Sequence, residues 1–250
     1  MAPPRIYTLD FDGVICDSAI ETAMTGWKVA GQIWSNMPVE TPPEIITLFR
    51  EVRPVMETGY EAILIMRALY EGVSTEHLLT NFSSQLAHLI HRDQLNTDKL
   101  KQRFGDTRDQ WIKHDLEDWM AMNPLFGGFA NKLQQIDPTT TYIITTKQER
   151  FVSQIFASNN IEFPAERIYG LDRKLSKQQI LKDLLVEHSD SEILFVEDRL
   201  PTLINVINDG QLDAIKLFFA DWGYNTQQDK QAVTTLETVR SINLKEMIAL

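Results

Sequence analysis

The chain has 250 residues, of which 43% are hydrophobic, and its formal net charge is −11 at pH 7. This length and hydrophobic content suffice for one large domain or two modest ones with a full core, and they exclude a largely disordered chain. The acidic balance argues against a nucleic-acid-binding surface, because phosphate backbones attract clustered Lys and Arg.

Two features of the sequence bear on its compartment. The first residues lack an apolar signal core, and no run of about 18 apolar residues follows anywhere in the chain. Cys16 is the single cysteine, which rules out an internal disulfide and a multi-cysteine zinc site. We therefore expect a cytoplasmic protein without a membrane partner.

The first predicted element is a strand that ends in two acids. The β-favouring run Ile6-Tyr7-Thr8-Leu9 leads directly into Asp10 and Asp12, and a glycine follows. Residues two apart on an extended strand point the same way, so both carboxylates can face one small volume beyond the sheet edge. Two such groups repel each other unless a cation or a shared proton lies between them.

From residue 18 to residue 121 the strand signals disappear and helical periodicity takes over. Ser74 and Asp98 are suitable N-caps, and Pro43 suits a first helical turn. An all-helical insertion is therefore predicted. Its expected helices are Ser18–Gly31, Pro43–Met56, Gly59–Glu71, Ser74–Gln94 and Asp98–Ala121.

After residue 122 predicted strands alternate with predicted helices. Strands that alternate with helices indicate right-handed βαβ units, so the fold class is α/β, with a Rossmann-like doubly wound parallel sheet. The expected strands are Thr141–Lys147, Arg167–Gly170, Glu192–Val196 and Ala214–Phe219. No strand is predicted after Phe219. The expected helices are Phe129–Gln135, Glu149–Ser158 and Lys177–Glu187, together with one around Leu203–Ile207.

Ligands of such sheets bind beyond the carboxyl ends of the strands. Three of the predicted strands end in polar side chains that can bind a ligand or a metal ion. This coincidence points to one site at that edge. The three groups are Asp10 with Asp12, Thr145 with Thr146, and Glu197 with Asp198.

Four short motifs, taken in order, resemble those of the haloacid dehalogenase-like hydrolase superfamily. The resemblance places a Rossmann-like core at residues 1–17 and 122–250, and the insertion at 18–121 resembles the C1-type helical cap. Trp222-Gly223-Tyr224 is similar to a tail in phosphoglycolate-phosphatase-like members. The motifs are Asp10-Phe11-Asp12-Gly13-Val14, Ile143-Ile144-Thr145-Thr146-Lys147, a lysine that is either Lys174 or Lys177, and Phe195-Val196-Glu197-Asp198-Arg199.

The resemblance implies a role for each motif. Asp10 would be the nucleophile and Asp12 the general acid/base. Thr145 would donate a hydrogen bond to the transferring phosphoryl group, and Lys177, preferred to Lys174 because it precedes an apolar helix residue by three positions, would neutralise that group. The implied ligands of Mg²⁺ are Asp10, Asp12 through its backbone carbonyl, Asp198 and Glu197, and the candidate substrate-binding residues are Thr146 and Arg53.

The fourth motif departs from the pattern of the superfamily. Glu197 stands where a glycine is usual, and Thr202 stands where a second Asp or Asn is usual. Glu197 is either a metal ligand, directly or through water, or a strand residue that points away from the site. For Arg53 the alternative to a substrate contact is an ordinary surface arginine.

The function that the resemblance implies is a magnesium-dependent phosphatase. It would hydrolyse a small phosphorylated metabolite, with phosphoglycolate as the first substrate to test, through an aspartyl phosphate. Two alternatives stay open at this stage. One is a sugar-phosphate mutase similar to β-phosphoglucomutase, and the other is a non-catalytic relative that binds a ligand or a partner protein.

Overall fold

The computed structural model describes residues 3–250 and divides the chain into two compact units. The first unit contains the described residues up to Asp17 together with Leu125–Leu250, and the second is Ser18–Pro124. The sequence predicted that the helical insertion ends at residue 121, whereas the second unit of the structure ends at Pro124. The chain re-enters the first unit at Leu125, where a short antiparallel bridge joins it to Cys16.

The first unit is built on a six-stranded sheet in which every strand pair is parallel. The strand order is β3-β2-β1-β4-β5-β6, so β1 lies near the middle of the sheet, between β2 and β4. This arrangement confirms the predicted α/β class and the parallel sheet. The strands are β1 Arg5–Leu9, β2 Thr141–Ile144, β3 Ile168–Tyr169, β4 Glu192–Glu197, β5 Lys216–Ala220 and β6 Val239–Ile242.

The register of the three central strands brings their carboxyl ends level. Leu9 at the end of β1 pairs with Ile143 of β2 and with Val196 of β4. The backbone N–H of Asp10 then donates to the Val196 carbonyl at 3.0 Å, which continues the ladder by one residue. As a result, the polar residues that follow each strand emerge at one edge, as the sequence predicted.

The second unit is entirely helical over its described secondary structure. Its core contains Trp27, Phe49 and the apolar helix Glu61–Tyr70, in which eight consecutive residues are buried. Ser74 caps its helix by accepting a hydrogen bond from the His77 N–H, as predicted. The helices are α1 Ala19–Ile33, α2 Pro43–Val52, α3 Glu61–Tyr70, α4 Thr75–Arg92, α5 Thr97–His114 and α6 Leu116–Ala121.

One predicted helix of this unit was wrong in two respects. The segment 98–121 forms two helices, because Asp115 adopts an extended conformation and its side chain caps α6 by accepting from the Asp118 N–H. The N-cap of α5 is Asn96 rather than Asp98, since the Asn96 side chain accepts from the Lys99 N–H at 2.9 Å. An internal Asp can thus end one helix and begin the next without Gly or Pro.

A charged pair lies inside the second unit. Glu21 is completely buried and accepts hydrogen bonds from the Arg108 guanidinium, the Thr25 hydroxyl and the Trp119 indole N–H. Three side chains, one from each of three helices, therefore satisfy one buried carboxylate, which fixes the mutual orientation of those helices.

Helices of the first unit cover its sheet, whose central strands are buried on both faces. On one face Ile6, Ile193 and Phe195 form a continuous core with Leu181 and Leu203 of two helices. The near-continuous apolar run of β4 follows from this double burial. The helices are α7 Phe129–Gln135, α8 Glu149–Ser158, α9 Lys177–Glu187, α10 Leu200–Ile207, α11 Gln227–Val233 and α12 Leu244–Ala249.

The sequence missed the last strand. β6 is an edge strand of four residues, and Arg240 and Ser241 in its middle are exposed, so it carries only two buried side chains. A signal of this length does not stand out from the surrounding polar sequence. Within residues 3–250, the structure has no helix that is long and apolar enough to cross a membrane.

Candidate active site

Asp10 is held at the end of β1 with its carboxylate facing the polar edge of the sheet. The residue is buried, and its Oδ1 accepts a hydrogen bond from the Phe11 N–H at 2.7 Å. Its Oδ2 lies 3.0 Å from the Lys177 ammonium nitrogen, Nζ. One buried carboxylate is thus oriented by a backbone donor and by a cation.

Lys177 joins two carboxylates from neighbouring strands. It begins α9 at the residue where the sequence predicted the helix to start, and the N-cap Ser176 accepts from the Gln179 N–H. Its Nζ lies 2.7 Å from Glu197 Oε2, in addition to its contact with Asp10. Lys174, the other candidate for the third motif, is exposed in a left-handed turn, so the structure brings Lys177 rather than Lys174 to Asp10.

Glu197 and Asp198 complete a group of three carboxylates. Within the part of the chain that the structure describes, one such group has its ligand oxygens within 4.8 Å of one another, and its members are Asp10, Glu197 and Asp198. All three residues are buried. Glu197 therefore faces the site and does not point away from it as a plain strand residue would.

Glu197 is also anchored to its own strand end. Its Oε1 accepts from the Arg199 N–H at 3.1 Å, while its Oε2 contacts Lys177. Burial opposes its ionisation, but the Lys177 ammonium and the Arg199 N–H outweigh burial and hold the pKa of Glu197 below its usual range. The ionised carboxylate in place of the usual glycine is a fixed counter-charge for the lysine.

For Asp10 the net shift of the pKa is in the opposite direction, because burial prevails. It raises the pKa of Asp10 to about 7, with Glu197 and Asp12 adding to the rise and the Lys177 ammonium opposing it. For Lys177, burial disfavours the charged form, but the two carboxylates prevail and raise the pKa of the ammonium. The lysine is therefore charged, whereas Asp10 lacks enough positive charge nearby to be fully ionised at neutral pH.

Close packing of two glycines places Asp198 beside the loop that follows β1. Gly13 has φ +90°, and a Cβ on it would lie 2.0 Å from Asp198 Oδ2. A Cβ on Gly223 would lie 2.3 Å from the Asp198 Cβ and 2.4 Å from the Gly13 carbonyl oxygen. Only residues without a side chain allow this approach, so both glycines are needed where they stand.

The segment 222–224 holds this arrangement together. The Tyr224 N–H donates to Asp198 Oδ2 at 2.6 Å, and the Tyr224 hydroxyl donates to Asp17 at 2.9 Å. The Trp222 indole N–H donates to the Val14 carbonyl at 3.0 Å. The segment that is similar in sequence to a tail in phosphoglycolate-phosphatase-like proteins thus joins Asp198 to Val14 and Asp17 in the loop that follows β1.

Asp12 has a cationic partner of its own, which the sequence analysis did not assign. Lys147 Nζ lies 2.9 Å from Asp12 Oδ1, and the lysine side chain is completely buried. The only sequence signal was a lysine directly after two threonines at a strand end. Lys147 is the residue of this site that sequence reasoning quoted without giving it a role.

The remaining predicted site residues lie in two places. Thr145 follows β2, is buried, and its Oγ1 accepts from the Lys147 N–H at 3.1 Å; the half-buried Thr146 comes next. Arg53 belongs to the helical unit and is buried, with its Nη1 donating to the Met56 carbonyl, so it is not a surface arginine. Contacts of Thr146 and Arg53 with a substrate stay predictions.

We refer to Asp10, Asp12, Lys147, Lys177, Glu197 and Asp198 as the charge cluster. With all six groups ionised, four carboxylates and two ammonium groups give a net charge of −2. A single divalent cation would balance that charge.

Comparison with known proteins gives a likeness in structure but not in sequence. No protein-family model and no curated protein matches the chain. A protein from Clostridium acetobutylicum described as a predicted phosphatase aligns over 100% of this chain and 98% of its own, with a TM-score of 0.58 and 13% identity. A predicted phosphoglycolate phosphatase from Haemophilus somnus 129pt aligns over 92% of both chains, with a TM-score of 0.58 and 14% identity.

A HAD family hydrolase from Deinococcus radiodurans R1, with bound phosphate and sodium, aligns over 99% of this chain and 94% of its own. Its TM-score is 0.50 and its identity 12%. The chain has the fold of haloacid dehalogenase-like hydrolases. This confirms the fold that the four motifs implied, and the alignments extend over both the parallel-sheet unit and the helical unit.

Proposed function

We propose that the chain is a magnesium-dependent phosphatase that hydrolyses a small phosphorylated metabolite through an aspartyl phosphate on Asp10. The observation that carries the proposal is the buried Asp10 carboxylate, in contact with the Lys177 ammonium and close to two further carboxylates at the same sheet edge. The phosphatase-like structural relatives support the same reaction class. The first substrate to test is phosphoglycolate.

The donor set of the charge cluster fits Mg²⁺. This cation prefers oxygen ligands, and usually takes one or two carboxylates together with water and substrate phosphate oxygens. Asp10 and Asp198 would hold it with the backbone carbonyl of Asp12. Glu197, whose two oxygens already accept from Arg199 and Lys177, would contribute mainly its charge. When bound, the cation would neutralise phosphate charge and favour the ionised form of Asp10.

The side chains divide the reaction between them. Asp10, oriented by the Phe11 N–H, attacks phosphorus and becomes phosphorylated. Asp12 gives a proton to the departing oxygen and later removes one from the water that hydrolyses the aspartyl phosphate. Lys177 balances charge on the transferring group. Since Thr145 Oγ1 already accepts from the Lys147 N–H, its own proton is available for a phosphoryl oxygen.

The geometry weakens the non-catalytic alternative. That alternative rested on the altered fourth motif, but Glu197 is paired with Lys177 inside the site, and Asp198 lies within the same group of carboxylates. A protein that had lost turnover would have no need to keep these costly buried charges. Each group that stabilises charge in the transition state is worth about 3 kcal/mol, or about a hundredfold in rate.

The proposal is tested with purified protein, Mg²⁺ and a panel of phosphorylated metabolites, comparing the wild type with Asp10→Asn. We expect phosphate release that requires magnesium and a loss of at least about a thousandfold in the variant, since the nucleophile is removed. Asp190→Asn, the same change at an exposed aspartate, is the matched control and should retain full activity.

A second readout follows the covalent intermediate. Mass spectrometry of protein quenched during turnover should find a phosphoryl group on the peptide that contains Asp10. Release of phosphate at equal rates by the wild type and Asp10→Asn would contradict the proposal. Absence of magnesium-dependent release from every compound of the panel would contradict it as well.

A further inference from the structure

The contact between Lys147 and Asp12 is the part of the charge cluster that the proposed mechanism has not used. Lys147 Nζ lies 2.9 Å from Asp12 Oδ1 and 5.8 Å from the centre of the Phe11 ring. The lysine side chain is completely buried, while that of Asp12 is 17% exposed. A lysine is seldom buried to this degree unless a carboxylate compensates for its lost hydration.

The backbone of Lys147 is fixed as firmly as its side chain. Its N–H donates to Thr145 Oγ1 at 3.1 Å, and its carbonyl accepts from the Leu171 N–H at 3.1 Å. Gly170 approaches this carbonyl so closely that a Cβ there would lie 2.3 Å from the oxygen. Both ends of the residue are thus held, and the ammonium has little freedom to leave Asp12.

We infer that Lys147 is a positioning residue for the proton transfers of Asp12, an inference that rests on the proposed function. The ammonium holds Oδ1 and thereby sets the orientation of the whole carboxyl group. It also stabilises the carboxylate that Asp12 becomes after it has given up its proton, because a charge-assisted hydrogen bond is stronger than a neutral one. In this role Lys147 acts through Asp12 and transfers no proton of its own.

The proton balance of the two steps shows where this assistance acts. In the first step the bond from phosphorus to the leaving oxygen breaks, the Asp10–phosphorus bond forms, and the Asp12 proton moves to the leaving oxygen. In the second step the Asp12 carboxylate takes a proton from water as the water oxygen bonds to phosphorus and the Asp10–phosphorus bond breaks. Lys147 keeps its proton throughout and faces the carboxylate between the two steps.

Substrates that differ in their need for a proton therefore distinguish this role. An alkyl ester leaves as a strongly basic alkoxide and needs the Asp12 proton, whereas p-nitrophenyl phosphate releases a stable phenolate without it. In Lys147→Met, kcat/KM for the best alkyl ester of the metabolite panel should fall at least about tenfold further than kcat/KM for p-nitrophenyl phosphate. Because both esters are measured on one preparation, the ratio is independent of the fraction of protein that folds.

Two companion experiments sharpen the test. Lys147→Arg should recover part of the selective loss, since a guanidinium can still contact Oδ1. In an Asp12→Ala background, Lys147→Met should have little further effect, because a residue that acts through Asp12 has nothing left to position. Lys182→Met is the matched control, since Lys182 forms an ion pair with Asp209 at 2.7 Å away from the cluster and should leave the ratio unchanged.

The inference can fail separately from the proposed function. Equal losses for both esters in Lys147→Met, including complete loss of both, would overturn the positioning role while the phosphatase activity of the wild type stands. Full additivity of Lys147→Met with Asp12→Ala would overturn it too. Hydrolysis of neither ester by the wild type would contradict the proposed function and, with it, the role of Lys147.

Discussion

Replacing Asp10 by asparagine should make the metal-free protein more stable relative to the wild type as the pH rises. Burial, Glu197 and Asp12 together raise the pKa of Asp10 from 3.8 to about 7, in spite of Lys177. The folded wild type therefore binds a proton at Asp10 that the unfolded chain has already released. The contribution of Asp10 to the stability of the wild type is therefore highest below pH 3.8, and it is lost as the pH rises towards 7.

The magnitude follows from the two pKa values. Between pH 5 and pH 8 the contribution of Asp10 to the free energy of unfolding should fall by about 2 to 3 kcal/mol. Asp10→Asn has no such titration. Any constant cost of the amide, such as a less favourable contact with Lys177, cancels in the comparison between the two pH values. The difference in stability between the variant and the wild type should therefore move towards the variant by the same amount.

The assay is urea unfolding in EDTA at pH 5, 6, 7 and 8, followed by circular dichroism, with Asp190→Asn as the control substitution. Saturating Mg²⁺ at pH 8 should shift the stability difference back towards the wild type, because the variant lacks the Asp10 carboxylate as a ligand and binds the cation more weakly. A stability difference between the wild type and Asp10→Asn that stays constant from pH 5 to pH 8 would refute the reasoning.

Four further substitutions have outcomes that follow from the contacts. Gly13→Ala should abolish activity and lower the free energy of unfolding, measured with urea, by at least about 2 kcal/mol. Gly72→Ala is its control: Gly72 also has a positive φ, +84°, but an added Cβ would meet nothing, so the same measurement should give a loss of about 1 kcal/mol. Glu197→Gln leaves the charge cluster at −1 and should weaken Mg²⁺ binding at least about tenfold by calorimetric titration. Arg108→Met strands a completely buried glutamate and should destabilise the helical unit by about 3 kcal/mol in thermal unfolding. Lys177→Met should slow alkyl and aryl phosphates alike, because its charge acts on Asp10 and the phosphoryl group rather than on the leaving oxygen.

The sequence predicted those parts of the site that depend on backbone geometry. A parallel sheet brings the residues after each strand to one edge, so Asp10, Thr145 and Asp198 could be assigned to that edge from the strand pattern alone. Lys177 could be chosen over Lys174 because the resemblance to the superfamily favours a lysine a few residues before an apolar helix residue, here Ile180. Such predictions need only the direction of the chain and the ends of its elements.

The sequence could not predict contacts that depend on the path of a long side chain. The pairing of Lys147 with Asp12 joins residues 135 positions apart, and nothing in a Thr-Thr-Lys sequence says that the lysine turns inwards. The same holds for Glu197, whose carboxylate the strand pattern left free to face either way. The short edge strand β6 and the break at Asp115 were missed because each has only a weak local signal.

Asp10 and Asp12, the two acids at the end of β1, lie in different electrostatic surroundings because each contacts a different lysine. Two carboxylates two residues apart would repel each other, yet each contacts a different ammonium group. Lys177 at the start of α9 contacts Asp10 and also Glu197, and the buried Lys147 after β2 contacts Asp12. Asp10 also lies close to the carboxylates of Glu197 and Asp198 at the end of β4, and it therefore needs a further cation before it is fully ionised. Asp12 has no part in that group of three. The surroundings thus separate a carboxylate whose ionisation depends on a further cation from one that a buried lysine already contacts.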